Sequence, residues 1–84
     1  MNKRKFLAQI IRNRKNVKYN DFVSLVEAFG YEYVRSNGSH NMYEHKDVPE
    51  ILNIQNKKGE AKPYQIKQFL DFVENYNLRM EDEQ

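Results

Sequence analysis

The sequence predicts an α+β fold, a two-layer sandwich in which an α-β-β-β-α unit follows an extra N-terminal helix. Three observations carry this. Apolar side chains repeat at helical spacing in two segments, residues 20–29 and 63–77. Between them lies a region rich in β-forming residues, punctuated by Asn37-Gly38 and by Asp47 and Pro49. Eighty-four residues leave room for one small core, so the strands must be covered on one face by the flanking helices.

The first helix is expected over residues 3–13. Phe6/Ile10 and Leu7/Ile11 form i, i+4 pairs on one stripe, and a polar connector follows to residue 20. Asn20 or Asp21 can cap the second helix, because a short side-chain oxygen accepts from the free N–H groups of a first turn. Phe22, Leu25, Val26 and Phe29 then recur at helical spacing, and Gly30 supplies a left-handed stop.

Residues 31–36 read as a strand. Asn37-Gly38 suits the two central positions of a type I′ hairpin turn, with residues 39–45 returning. Residues 46–50 read as a turn and residues 51–56 as a third strand, with Leu52 and Ile54 on one face. Residues 57–62 read as a basic loop around Gly59. Pro63 suits the first turn of the last helix, since its missing N–H costs nothing there. Ile66, Phe69, Leu70, Val73 and Tyr76 carry that helix to about residue 77, and residues 80–84 are expected to fray. The domain division is a basic helix and connector over residues 1–18, a body over 19–78 and an acidic tail over 79–84.

Composition excludes several classes of function. The chain is 39% hydrophobic and 31% charged, which is globular rather than disordered. No apolar run approaches the ~20 residues of a membrane span. The basic, then apolar, start is broken by Gln9 and ended by Arg12, so a secretory signal is rejected and a cytoplasmic location expected. The absence of cysteine removes disulfides and thiolate metal sites. No cofactor is expected from so small a core. The net charge of +2 hides an asymmetry. Residues 1–20 hold Lys3, Arg4, Lys5, Arg12, Arg14, Lys15 and Lys18 and no acid, whereas residues 21–78 hold more acids than bases. A basic arm on a mildly acidic body is a footprint for a polyanion, although a solvated amphipathic helix would look the same.

Few residues can carry chemistry. His40 stands just past the hairpin turn, where a large ligand can reach it, and imidazole exchanges protons near neutral pH. With Asn37-Gly38 at the turn, Arg35 lies directly across from His40 and can hold a phosphate. A polar residue beside a turn can also have no role at all. His45 is five residues away, about 16 Å along a strand and on the opposite face, so the two histidines cannot share one phosphate unless a bulge intervenes. Strand alternation also splits the set of His40, His45, Glu44, Asp47 and Glu50 between faces, and no third strong ligand is clear, so no metal site is expected. Lys57, Lys58 and Lys62 lead into a helix N-terminus, with Lys67 one turn on. Together they can form a phosphate site or merely a solubilising loop. Tyr31, Tyr33, Tyr43 and Tyr64 can stack on bases, but alternating strand tyrosines more often pack.

The frame Phe29-Gly30-Tyr31, Arg35, Gly38-Ser39-His40, Tyr43 and His45, followed by a strand, a basic loop and Lys62-Pro63, resembles the HicA (YcfA-like) toxin family of mRNA interferases. The resemblance covers about residues 21–78. It implies a fold like double-stranded-RNA-binding domains and metal-independent endoribonuclease activity, with His40 as the single catalytic histidine. It also implies single-stranded or messenger RNA as substrate. Arg35, Ser39, Lys57, Lys58, Lys62 and Lys67 are then the expected RNA-binding residues. A HicB-type antitoxin is the implied partner, the toxin being a monomer when free and part of a hetero-oligomer when bound. The chain departs from the family pattern in having Asn41 where many members have a second histidine, and Lys46 where many have proline. The alternative is a non-catalytic RNA-binding or protein-interaction module of the same fold.

Overall fold

The computed structural model describes residues 2–81 and contains three helices and one four-stranded antiparallel sheet. Helix α1 spans Lys3–Arg12, and its first turn is capped by the Asn2 side chain, which accepts from the Lys5 N–H at 3.1 Å. Helix α2 spans Tyr19–Ala28. Strands β1 (Glu32–Asn37), β2 (His40–His45), β3 (Val48–Lys57) and β4 (Glu60–Ala61) lie in the sheet in chain order. Helix α3, Pro63–Asn75, follows with proline in its first turn.

The helices cover one face of the sheet. Leu52 and Ile54 from β3 and Tyr43 from β2 meet Phe22, Leu25 and Val26 of α2 and Ile66 and Phe69 of α3 in one cluster, which also takes in Ile10 of α1. Phe69 sits at its centre, with the Phe22 and Phe29 rings edge-on at 5.5 and 5.4 Å. Edge-to-face packing of this kind adds to the burial that drives folding.

Several expectations are corrected. Helix α2 starts before Asn20 and Asp21, because backbone bonding in the connector fixes its first turn. The Tyr19 N–H donates to the Gly59 carbonyl at 2.9 Å and Lys18 bridges to Glu60, so Lys18 takes the cap position. The residues read as a basic loop contain a hairpin instead. Lys58 and Gly59 both have positive φ, at 52° and 87°, which is the type I′ pattern, and β4 returns beside β3 as a fourth strand. The turn after His45 is only two residues long, because His45 pairs with Val48. Pro49 therefore lies in β3, in the irregular stretch between Val48 and Leu52 where no partner needs its missing N–H. Residues 80 and 81 do not fray. Leu78 and Met80 are 8% and 3% exposed, and the Glu81 N–H donates to the Ala28 carbonyl at 2.8 Å. The rest of the expected frayed end, residues 82–84, lies outside the described residues.

The first hairpin turn is also shifted. Asn37 pairs with His40, so the two turn residues are Gly38 and Ser39. Gly38 has φ of 64° and Ser39 does not share a positive φ, which suits a type II′ turn rather than I′.

Candidate RNA-cleavage site

His40 opens β2, facing Asn37 on β1 and Gln55 on β3. This corrects the expectation that Arg35 stands opposite His40: Arg35 pairs with Met42. The shift is by two residues, so alternation keeps Arg35 on the same face as His40. They are diagonal neighbours, with Cβ atoms roughly 7–8 Å apart. Met42 is also on this face, as are Asn53 and Gln55 from β3, and the helices cover the other side.

The imidazole is half-buried, and its Nδ1 lies 3.1 Å from Asn53 Oδ1. A carbonyl oxygen only accepts, so the proton of the neutral ring sits on Nδ1. Nε2 then carries the free lone pair, and among the described residues it makes no hydrogen bond. Sequence reasoning missed Asn53, because its link to His40 appears only once the register of β2 on β3 is fixed. Asn53 stands opposite Met42, one diagonal step from His40.

The hairpin end is tied down on both sides. Gln55 Nε2 donates to Ser39 Oγ at 2.9 Å, and the Gln55 N–H donates to Gln65 Oε1 at 2.7 Å. Gln65 is 3% exposed, the sole buried polar residue among those described, so this bond joins the start of α3 to the strand beside His40. On the helix side, Asn41 Nδ2 donates to Tyr19 Oη at 2.6 Å, and Asn41 Oδ1 accepts from Ser36 Oγ at 2.6 Å. Tyr33 Oη lies 2.8 Å from Ser36 Oγ and donates to it. Burial raises the Tyr19 phenol above its ordinary range, the bond from Asn41 opposes that rise, and Tyr33 adds to it. Adjacent strand residues point to opposite faces. Asn41 therefore serves the packing of α2, and a histidine in its place would not join His40.

The basic residues are placed unequally. Lys57 ends β3, and Lys58 forms the β3–β4 turn. With Lys62 and Tyr64 they line an open depression of about 560 Å³ at the start of α3. Lys62 Nζ stands 5.9 Å from the centre of the Tyr64 ring, which is 64% exposed. Lys67 lies on the exposed side of α3 and pairs with Asp71 at 2.9 Å, which neutralises part of its field. Of the tyrosines singled out in the sequence, Tyr31 and Tyr43 are core residues, whereas Tyr33 and Tyr64 are exposed.

His45 belongs elsewhere. Its Nδ1 accepts from the Asp47 N–H at 3.0 Å, closing the β2–β3 turn, and its ring packs on Tyr31 at 5.2 Å. A concavity of about 730 Å³ lies around His45 rather than His40. Glu32, Glu44, Asp47 and Glu81 line it against Lys46 and Arg79, an acidic balance that suits no polyanion. Among the described residues, no group of three or more His, Asp or Glu side chains is arranged to hold a metal ion, and no helix is long and apolar enough to cross a membrane.

Comparison with curated proteins and with solved structures gives no significant match. One family model does match, over residues 19–71 and hence more than half of the chain; it describes the HicA toxin of bacterial toxin–antitoxin systems.

Proposed function

The chain belongs to the HicA toxin family of bacterial toxin–antitoxin systems, and from that premise we propose that it is a metal-independent endoribonuclease acting on messenger RNA in the cytoplasm. His40 is the general base. Its Nε2 takes the proton of a ribose 2′-hydroxyl, and the 2′-oxygen attacks the adjacent phosphorus. The bond to the 5′-oxygen breaks, that oxygen gains a proton, and a 2′,3′-cyclic phosphate remains. Arg35, on the face of His40, and a lysine from Lys57, Lys58 or Lys62 stabilise the charge that develops on the phosphoryl oxygens. Ser39, at the turn, and Lys67, after release from Asp71, contact the backbone of the RNA further out. A HicB-type antitoxin binds the toxin and masks this surface in a hetero-oligomer.

The observation that carries this reading is the contact between His40 Nδ1 and Asn53 Oδ1 at 3.1 Å. It fixes the tautomer and leaves the unbonded nitrogen as the base, in the manner of the histidine orienters of other acid–base enzymes. Asn53 is a positioning residue.

The test is incubation of the purified protein with RNA and with DNA of the same sequence, in the presence of a chelator. Cyclic-phosphate ends from RNA, intact DNA and loss of cutting in His40→Ala are expected. Cleavage by His40→Ala at the parental rate would overturn the role of His40. RNA retention without products from the parent protein would mark the domain as a non-catalytic RNA-binding module.

A further inference from the structure

We infer that the connector between α1 and α2 is a second phosphate-binding site, which holds the RNA strand beyond the cleaved step. The inference rests on the reading of His40 as the centre of an RNA-cutting site, and it concerns residues that lie ahead of the family match.

A groove of about 510 Å³ runs between the end of α1 and the start of α2. Arg12, Lys15 and Lys18 line it with the amide side chains of Asn13 and Asn16, and Asp21 is its one acid. Arg12, Lys15 and Lys18 are exposed, and among the described residues none has a carboxylate within ion-pair distance. The whole stretch of residues 1–20 contains no acid, so in the lining of the groove Asp21 alone opposes these cations. Three unpaired cations beside amide donors are suited to phosphates, and their spacing along a groove is suited to a chain of them.

The groove is fixed relative to the cleavage site. The Ala61 N–H donates to the Val17 carbonyl at 2.9 Å, and the Tyr19 N–H donates to the Gly59 carbonyl at 2.9 Å. Residues 17–19 therefore run beside β4 as a further edge, directly against the Lys58-Gly59 turn. Tyr19 also accepts from Asn41, the neighbour of His40, at 2.6 Å. From the connector through β4 and β3 to β2 is three strand spacings, about 14 Å. A single strand that starts at His40 and passes Lys57 and Lys58 thus arrives at Lys18, Lys15 and Arg12, crossing one acid on the way, Glu60, which stands opposite both Lys57 and Lys18. This explains how a domain whose body carries more acids than bases can hold a polyanion: the charge is supplied by the segment in front.

The experiment uses the full chain carrying His40→Ala, so that RNA is bound and not consumed. Labelled single-stranded RNAs of about 4 and about 16 nucleotides, the range of site sizes for strand-binding folds, are titrated at several salt concentrations. The triple variant Arg12→Gln, Lys15→Gln, Lys18→Gln is expected to bind the longer RNA at least tenfold more weakly at low salt. Its salt slope should fall by about 2, because each phosphate contact on a single strand contributes about 0.7. Binding of the short RNA should be unchanged. Lys15→Arg with Lys18→Arg keeps the charges and should keep the affinity. Lys3→Gln with Lys5→Gln removes charge from the far end of α1 and should have the smaller effect per charge. An equal loss per charge in that control overturns the site, since only net charge would then matter. Unchanged binding of the long RNA by a triple variant that unfolds at the parental urea concentration also overturns it, while cutting by the protein with His40 intact leaves the first proposal standing. Unchanged RNA binding with loss of antitoxin binding overturns it in favour of a protein ligand. If RNA of neither length binds, both proposals fall.

Discussion

Replacing Tyr31 by phenylalanine removes the only buried side-chain oxygen or nitrogen that lacks a hydrogen-bond partner among the described residues. Tyr31 is 2% exposed, and its ring packs near Phe69 at 5.9 Å and His45 at 5.2 Å. Its ring contacts survive the change, so only the hydroxyl is lost. An unsatisfied buried hydroxyl costs about 1–3 kcal/mol of desolvation. Allowing for the small void left by the oxygen, Tyr31→Phe should gain about 1 kcal/mol at pH 7. In a domain of this size that is a rise in Tm of roughly 4–8 °C.

The same phenol makes a second, independent prediction. Burial, helped by Glu50 and Tyr76, pushes the Tyr31 pKa up to about 12 from 10.0. In the unfolded chain the phenol ionises near 10, so between pH 10 and 12 the folded state holds the proton that the unfolded state has lost. The unfolding free energy therefore falls as pH rises through that window and is unaffected below it. The contribution of Tyr31 is about 1 kcal/mol per pH unit once solvent screening is allowed for. Tyr43, pushed to about 12 mainly by burial, adds a similar share that the variant retains. Urea unfolding at pH 7 and at steps between pH 10 and 12 reads both effects. The parent should lose stability more steeply than the variant, by the share of Tyr31, while Tyr19, Tyr43 and Tyr76 contribute to the slope of both. A variant less stable than the parent by 1 kcal/mol at pH 7, or one with an unchanged alkaline slope, would show that the hydroxyl has a partner in solution and would refute the reasoning.

Asn53→Leu keeps the size of the side chain but gives the His40 ring no acceptor. It should lower kcat for RNA about 10- to 100-fold with KM little changed, and the pH–rate profile should move, which loss of packing alone would not do. Single-turnover cutting over a range of pH checks it. Gly30 and Gly59 both have positive φ, at 94° and 87°, yet they should respond differently to alanine. A Cβ at Gly59 meets nothing within 4 Å, so Gly59→Ala carries only the conformational cost, about 1 kcal/mol. At Gly30 the Cβ would stand 3.1 Å from His45 Nε2, so Gly30→Ala should cost more, about 2–3 kcal/mol, and part of the excess should disappear in His45→Ala. Thermal unfolding of the two variants and of the double variant measures the difference.

The helices were legible because their stripes are long. Phe22, Leu25, Val26 and Phe29 state both the period and the buried face of α2, and Ile66 through Val73 do the same for α3. What the sequence conceals is decided by partners far along the chain. Asn37-Gly38 and Gly38-Ser39 both offer a glycine at a turn position, and the choice follows from pairing. With Ser36 facing Asn41, the two side chains bond on the helix side, and the irregularity after Tyr33 keeps the Tyr33 and Tyr43 rings in contact at 5.8 Å. That choice moved Arg35 from beside His40 to its diagonal. Strand β4 has two residues, too few for any alternation to show, and its turn depends on Lys58 adopting a conformation that the residue type does not announce. Asn56 helps by accepting from the Gly59 N–H at 2.7 Å, again a contact across the turn. His40 was singled out from its neighbours in the chain; its contact with Asn53, thirteen residues on, is visible only in the sheet.

The part of this protein that kinship recognises is smaller than the part that folds. Residues 19–71 carry the family likeness, yet Ile10 and Val17 ahead of them and Phe72, Leu78 and Met80 behind them are buried in the same cluster. A version trimmed to the shared stretch would open wounds at both ends of the hydrophobic interior, and its weakness would be misread as a failure of the toxin rather than of the cut. Inheritance and cooperativity draw different borders here. Any transplant of the His40 face into another scaffold must carry the flanks that hold it shut.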